Sequence, residues 1–538
     1  MRRKVITLVA LLLTLTLLAS MFAACGGEKA MTDLPETTDN YRTFYQIFPY
    51  SFADSNGDGI GDLKGIIDKL DYIADMNFDG IWLTPVHQSP SYHKYDVIDY
   101  KSIDRQFGTL ADYDKLVEEC HNRGMSIILD LVINHTSDKN DWFEYCIDAH
   151  KNKLVDDEYY NYYNVKEGKS TTSTWTTIGN LSYESQFWSG MPDLNWQNVL
   201  DEPNGYLAQD LKEVMRFWLI DHDVDGFRLD ATHEFFTGNN SKSMEALSWI
   251  NETAKSIKPD CYIVGEGPWN STAYTFYGSG IDSFFLFNHG FTGAGSISMA
   301  ARGMAGAADW YIDIDKSNEA KVQGGIPAMF VANHDTPRAY GILQGGAGNG
   351  IGLDNMKMGY GVLAMSAGAS FWYYGDEIGM NAFPTTTGQK EVIDEHKRQP
   401  MPWGDSYQCK PVTGTDKNVD DGVKYPYGNV KKNLRNSDSF IGYITRANAL
   451  RRAFPAIARS YGTEVYSDGD YLALIKKGAG ADEIYIAVNF SHNYAQTLKL
   501  SQYGNFELVG TLSVDKSPTL KGDALTLPAM SFAVLRKV

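Results

Sequence analysis

Cysteine is scarce in this chain: there are five in 538 residues. Cys120, Cys146, Cys261 and Cys409 are scattered, with no CxxC pair, so neither a zinc site nor a disulfide framework is indicated. Cys120 falls on the apolar face of a helical repeat and reads as core. Positive charge is scarce too: 48 Lys and Arg stand against 67 Asp and Glu, a net charge of -19. That argues against nucleic acid and against a polybasic membrane surface as partners. Aromatics, in contrast, are plentiful, with 33 Tyr, 25 Phe and 11 Trp. They suit a ligand with flat, partly apolar faces, such as a sugar, although a large core uses them as well. The length implies two or three domains.

The first residues read as a targeting segment. Arg2, Arg3 and Lys4 form a basic start, and Val5 to Ala24 is an apolar run long enough to just span a bilayer. The run ends "FAAC". Small residues before Cys25, followed by Gly26 and Gly27, resemble a bacterial lipoprotein signal, which implies cleavage before Cys25 and lipidation of that residue. Phe22 stands where Leu is usual, so an uncleaved anchor is the alternative. Either way the chain is expected on the extracellular face of a bacterial membrane, or secreted, with residues 25–39 as a polar tether.

From about residue 42 a cadence sets in of short apolar strand, amphipathic helix, glycine, strand. "GIIDKLDYIADMNFDGIWLTP" places Ile66, Ile67, Leu70, Ile73 and Ala74 at helical spacing, turns at Asp79-Gly80 and enters a strand. "LVEECHNRGMSIILDLVINH" and "LKEVMRFWLIDHDVDGFRLD" repeat it. With "FYQIF", "CYIVGE", "DSFFLFN", "PAMFVANHD" and "SFWYYGDE" there are eight strand candidates. Eight βα units over roughly 400 residues predict a parallel sheet closed into a (β/α)8 TIM barrel. Some 55 polar residues after "INH" are too many for a structureless loop and predict an inserted domain over 136–195. A second long insertion covers roughly 380–437. Short alternating runs near the end, such as "EIYIAVNF" and "SFAVLRK", predict an antiparallel β-sandwich over 458–538. The barrel then takes 40–135 and 196–457.

In such barrels the C-terminal ends of the strands face the active site. Here those ends carry Asp130, Asp230, Glu266, Asp335 and Glu377. Carboxylates gathered at one place raise one another's pKa, so a ring of them points to metals or to glycoside cleavage by a carboxyl pair. Arg228 and Asp230 are two apart on a strand and point to the same side. The guanidinium favours an ionised Asp230, as a nucleophile requires. Glu266 ends the next strand, and an acid role needs its pKa raised. His135, His233 and His334 lie nearby without metal-protease spacing. Separately, "DSNGDGIGDL" looks like an EF-hand loop, with Asp54, Asn56, Asp58, the Ile60 carbonyl and Asp62 at positions 1, 3, 5, 7 and 9. The closing Glu is missing, because Gly65 stands at position 12, and a strand rather than a helix precedes it. A metal-free polar turn and a structural ion both fit.

Taken together and in this order, "DLVINH", "MPDLN", "GFRLDATHE", "VGEG" and "ANHD" resemble the α-amylase family, glycoside hydrolase family 13, over nearly the whole mature chain. The resemblance implies a retaining α-glucan hydrolase with Asp230 as nucleophile, Glu266 as general acid/base and Asp335 as transition-state stabiliser. It implies that Arg228, His135 and His334 contact the -1 sugar or its carboxylates, and that Tyr95 in "YHKYDVIDY" stacks on that sugar. Asp130, His233 and Arg398 join the substrate-binding set. The "DSNGDGIGDL" loop resembles one that holds a structural calcium ion in oligosaccharide-acting members. In typical α-amylases a further calcium sits at the position of Asn134, with its other ligands drawn from the inserted domain.

The resemblance also bears on specificity. Exo-acting α-glucosidases of the family close the -1 end with an Asp three residues before the stacking Tyr. Here that position is Tyr92, and Asp96 is the other acid that could close the pocket. "HKYD" has Lys94 where Gly is usual, "DATHE" is closer to neopullulanase-like members, and "GEGPW" has Gly267 where Val or Thr is common. The expected activity is endo-cleavage of α-1,4 bonds in starch and maltooligosaccharides. The alternatives are a neopullulanase-like, α-glucosidase-like or transglycosylating member and, in another class, a catalytically silent glucan-binding protein.

Overall fold

The computed structural model describes residues 34–290, 295–343, 352–382, 394–412 and 425–538. The targeting segment with Cys25 lies outside the described residues, as do parts of the stretch 380–437. In chain order come strands β1 (Thr43–Ile47), β2 (Gly80–Leu83) and β3 (Ser126–Leu131). Next is a set of three short strands, β4 (Val165–Glu167), β5 (Trp175–Ile178) and β6 (Leu181–Glu184). Then follow β7 (Gly226–Leu229), β8 (Tyr262–Gly265), β9 (Ser283–Phe285), β10 (Ile326–Phe330) and β11 (Ala369–Tyr373). Strands β1, β2, β3 and β7 to β11 close into a barrel in the order β1-β11-β10-β9-β8-β7-β3-β2, with every pair parallel. These are the eight strands the βα cadence predicts.

Almost every residue of those strands is buried on one side or the other, which is why they read as near-continuous apolar runs instead of alternating. The inward set is aromatic: Phe44, Trp82, Tyr262, Phe285, Phe330 and Phe371 form one cluster with Ile128, Val264, Ala328 and Ala369. The rings of Phe44 and Phe371 stack at 4.9 Å. The barrel is therefore plugged by rings below its mouth. The helices between strands start and stop where local chemistry directs. Thr109 and Asp112 form a reciprocal capping box at the helix Leu110–His121. Gly124, with φ of 65°, lets the chain turn from that helix into β3.

Between β3 and β7 the chain leaves the barrel. It forms the helix Asp141–Asn152 and the antiparallel sheet β4-β6-β5, then returns through isolated bridges pairing His135 with Asp193 and Tyr163 with Leu194. Those bridges pin the insertion over the C-terminal mouth of β3.

After the barrel come β12 (Thr463–Ser467), β13 (Leu472–Lys477), β14 (Ile484–Asn489), β15 (Gln496–Lys499), β16 (Phe506–Ser513), β17 (Thr519–Lys521), β18 (Ala524–Leu527) and β19 (Ser531–Lys537). They form a five-stranded sheet, β12-β13-β14-β19-β16, and a three-stranded sheet, β15-β18-β17. Leu472, Leu474, Ala487, Leu498, Leu525, Leu527 and Leu535 fill the space between them. The other face of the larger sheet packs on the barrel's helices, with Tyr311 against Phe490 and Phe532. A buried ion pair, Lys477 with Asp315, crosses that junction, and Asp315 also accepts the backbone N–H groups of Ala367 and Gly462. Cys120, Cys146, Cys261 and Cys409 are all buried free thiols, and Cys120 is fully buried on its helix.

Candidate active site

Strand register builds the site. Asp130 on β3 lies directly opposite Arg228 on β7, and Arg228 opposite Val264 on β8. Asp230 and Glu266 each follow the last residue of their strand by one. This places three carboxyls around one fully buried guanidinium. Arg228 Nη1 donates to Asp130 at 2.8 Å and to Asp230 at 2.6 Å, while Nη2 donates to Glu266 Oε2. The guanidinium rests over the Trp82 ring, 5.4 Å from its centroid. Ala231, next to Asp230, takes φ of 46°, a strained choice for a residue with a Cβ that turns the chain sharply after Asp230.

Asp335, in the loop after β10, has its own partners. His334 Nε2 lies 2.9 Å from Asp335 Oδ2, and Arg398 donates to Oδ1 at 2.7 Å. Gln46 donates to His334 Nδ1 at 2.8 Å, so the proton of the neutral imidazole is on Nε2 and faces Asp335 and the Tyr95 hydroxyl. Tyr95 in turn donates to Asp130 at 3.0 Å, and its ring stacks parallel to His334 at 5.4 Å. Arg398 also donates to the Tyr92 hydroxyl at 3.0 Å and to the His334 carbonyl at 3.1 Å.

The electrostatics divide the carboxyls. Burial pushes Glu266 upward; Arg228 pulls it back, and Asp230 and Asp335 push it further up. Burial likewise raises Asp230 against the pull of Arg228. Two like-charged groups on one guanidinium favour a shared proton, the condition in which one acts as acid and the other as nucleophile. Burial raises Asp130 to about 7. Asp335 goes the other way: burial opposes its charge, but His334 and Arg398 outweigh it and hold the carboxyl well below the usual range.

Several expected residues sit elsewhere than in the cleft. Glu377 is buried behind β1, where the Tyr45 and Tyr72 hydroxyls donate to it at 2.6 and 2.8 Å, so it leaves the strand-end ring. Asp96 does not close the pocket: it is 1% exposed, and its carboxylate accepts the hydroxyls of Ser89 and Ser91 in its own loop. Asp130, with no exposure, holds Arg228, Tyr95 and Trp82 from beneath instead of facing a ligand. His135 is buried, lies 3.1 Å from the Tyr95 carbonyl through Nε2 and packs against the exposed ring of Phe187. His233 borders the cleft, paired with Glu234 at 3.2 Å. One neighbour escaped the motif reading. Trp269, three residues past Glu266, donates its indole N–H to Glu266 Oε1 at 3.1 Å.

The "DSNGDGIGDL" loop is tied both by its own carboxylates and to the segment 407–410, where Lys410 Nζ donates to the Asp58 carbonyl at 2.8 Å. Asp54 accepts the N–H groups of Asn56, Gly57 and Gly59, Asp58 accepts that of Ile60, and Asp62 caps the helix Leu63–Asp68 through the N–H of Gly65. Among the described residues no three His, Cys, Asp or Glu side chains converge as a metal cluster, so an ion here would lean on Asn56 and the Ile60 carbonyl as well. The donors are all oxygens, as calcium prefers. Asp54 and Asp62 are buried and form no ion pair among the described residues, and Lys410 is the cation beside the loop.

Residues 46–460 match the family model described as alpha amylase, catalytic domain. Alpha-amylase 3 of Dictyoglomus thermophilum is 34% identical over 68% of this chain and 68% of its own length. An oligo-1,6-glucosidase of Parageobacillus thermoglucosidasius is 30% identical over 89% of this chain and 95% of its own. The solved structure of Eubacterium rectale Amy13B superimposes with a TM-score of 0.85 at 34% identity, covering 94% of this chain and 97% of that one.

The loop that carries Tyr95 shows how one departure is accommodated. Lys94 takes φ of 65°, in the left-handed region where glycine is at ease. Its side chain is nevertheless almost wholly buried, with Nζ donating to Asp104 and to Gln106 at 2.8 Å each. This latch lies beside Tyr95 in sequence. Lys94→Met keeps the stem and the strained backbone but leaves the buried Asp104 with only the N–H groups of Ser89 and Gln106, a loss of up to about 3–5 kcal/mol. The expected outcome is a lower melting temperature in thermal denaturation, and an unshifted melt would show the latch to be neutral.

Proposed function

This chain belongs to the α-amylase family of glycoside hydrolases, and on that premise we propose that it is a retaining, endo-acting hydrolase of α-1,4 bonds in starch and maltooligosaccharides. The observation that carries the reading is Arg228, one buried cation joined to Asp230 and Glu266 at adjacent strand ends. In this reading Asp230 attacks the anomeric carbon while Glu266 protonates the departing oxygen. A covalent glycosyl-enzyme forms, and Glu266, now a base, directs water onto it. Asp335, held ionised, faces the positive charge that builds on the sugar ring. Tyr95 supplies the ring face beneath that sugar, and Arg398 sets the position of Asp335.

The endo reading rests on Tyr92. A phenol stands where an acid would grip a terminal sugar, and its hydroxyl is engaged with Arg398. A second reading, exo-cleavage of α-1,6 bonds, draws support from relatives named oligo-1,6-glucosidase, one of which aligns along 89% of this chain. We further propose that Asp54, Asn56, Asp58, Asp62 and the Ile60 carbonyl hold a structural calcium ion. It would supply charge to a loop with two buried carboxylates, and it takes no part in the chemistry.

Asp230→Asn is expected to lower kcat by several orders of magnitude while sugar binding survives, and Glu266→Gln to keep more activity on substrates whose leaving group needs no proton. Freshly released product should be the α-anomer by proton NMR; β-anomer would overturn the retaining assignment. On amylose, viscosity and iodine staining should fall early, with products of maltose to maltotriose size. Glucose as the sole early product would identify an exo-enzyme, and preferential cleavage of isomaltooligosaccharides the α-1,6 reading. Chelation should lower the melting temperature of the parent protein and leave that of Asp58→Ala nearly unmoved. Equal melts of the parent with and without calcium would leave the loop a metal-free turn.

A further inference from the structure

The loop after β8 reads "GEGPW". Its Trp269 has one edge on Glu266 and one face on the barrel core. The indole N–H donates to Glu266 Oε1 at 3.1 Å, and the ring stacks on Phe287 at 5.0 Å with only 15° between planes. Phe287 is fully buried and meets Phe330 edge-on at 4.8 Å, so the indole is clamped to a rigid support. Trp269 still exposes 43% of its surface. The other oxygen of the carboxyl is fully engaged: Glu266 Oε2 takes Arg228 Nη2 and the Ala231 N–H.

This asymmetry has a chemical consequence. A proton on the Glu266 carboxyl avoids the oxygen facing the guanidinium and sits on Oε1, beside Trp269. We propose that Trp269 is a positioning residue for Glu266: its N–H sets the rotation and acid strength of the carboxyl, and its exposed face forms the wall against which the leaving-group sugar packs. The proposal rests on the reading of Glu266 as general acid/base. In the first step the O–H bond at Oε1 breaks as the proton passes to the glycosidic oxygen. The carboxylate left behind accepts the indole N–H more strongly than the neutral acid did. In the second step Oε1 takes a proton from water. A donor that favours the charged form makes the acid stronger. Among the described residues the indole is the neutral donor to Oε1; the charged and titratable groups facing the carboxyl are Arg228, Asp230, Asp335 and His233. Aromatic faces also suit the apolar side of a pyranose ring, and Oε1 must lie at the bond between the two sugars.

The test separates the N–H from the face. Trp269→Phe keeps a ring on Phe287 but has no donor, whereas Trp269→Ala removes both. Each is assayed as kcat/KM against pH on a maltooligosaccharide, and at a fixed pH on an α-glucosyl fluoride, whose leaving group needs little proton assistance. Loss of protonated Glu266 sets the alkaline limb, so losing the donor raises its pKa and moves that limb to higher pH. For Trp269→Phe the expected result is that shift, a fall of about tenfold or more on the maltooligosaccharide, and fluoride turnover within about twofold of the parent. Trp269→Ala should add a rise in KM for the maltooligosaccharide that Trp269→Phe lacks. An alkaline limb unmoved in Trp269→Phe, or an equal loss on both substrates, would overturn the proposal. Glu266→Gln is run alongside: if it retains parental activity on the maltooligosaccharide, the acid/base reading itself fails, whatever Trp269 does.

Discussion

One buried guanidinium governs this active site. Arg228 has no exposed surface, yet it touches three carboxyls from three neighbouring strands. Without it, Asp130, Asp230 and Glu266 would be like charges packed together out of water, each resisting ionisation. With it, they can be held at close range. The cation itself is kept in place by the register of β3 and β7, by Trp82 beneath its face and by the aromatic plug below. The barrel core and the chemistry are thus one construction, since the rings that fill the barrel also form the low-dielectric floor under the charges.

Asp335 is handled by different groups and is driven in the opposite direction. His334, fixed in one tautomer by Gln46, and Arg398, from beyond the last barrel strand, hold it ionised. The site therefore contains two carboxyls that burial pushes upward and one that its neighbours hold down. That division suits the proposed reaction, in which positive charge builds on a sugar ring. The two networks meet at Tyr95, which donates to Asp130 on one side and lies against His334 on the other.

Strain and burial around the cleft are balanced by local bonds. Ala231 sits in the left-handed region just after Asp230, where β7 ends and the chain must turn away. Lys94 does the same beside Tyr95 and is held by Asp104 and Gln106. Both strained residues adjoin a side chain that must be placed accurately, and both lie where neighbouring structure over-determines the backbone.

The eight barrel strands were legible because each is a short apolar run followed by a helix of clear periodicity, and such patterns are local. Arg228 and Asp230 could be paired by counting two along a strand, and Glu266 and Asp335 stood at strand ends that the cadence marked. What the sequence by itself determined is therefore the barrel and the set of charged groups at its mouth. It did not determine where each group points. Glu377 falls in a short 3-10 turn past the last barrel strand, where Tyr45 and Tyr72 hold it. Asp96 follows Tyr95 directly, yet serines in its own loop engage it. Trp269 lacked a motif signal because its role depends on the rotation of one loop that brings its N–H to Glu266. Those outcomes follow from hydrogen-bond partners that are hundreds of residues away, as with Tyr45 and Glu377, or that depend on loop conformation. Only the folded chain brings such groups within 3 Å of one another, and at that range direction, not residue type, decides which of them meet.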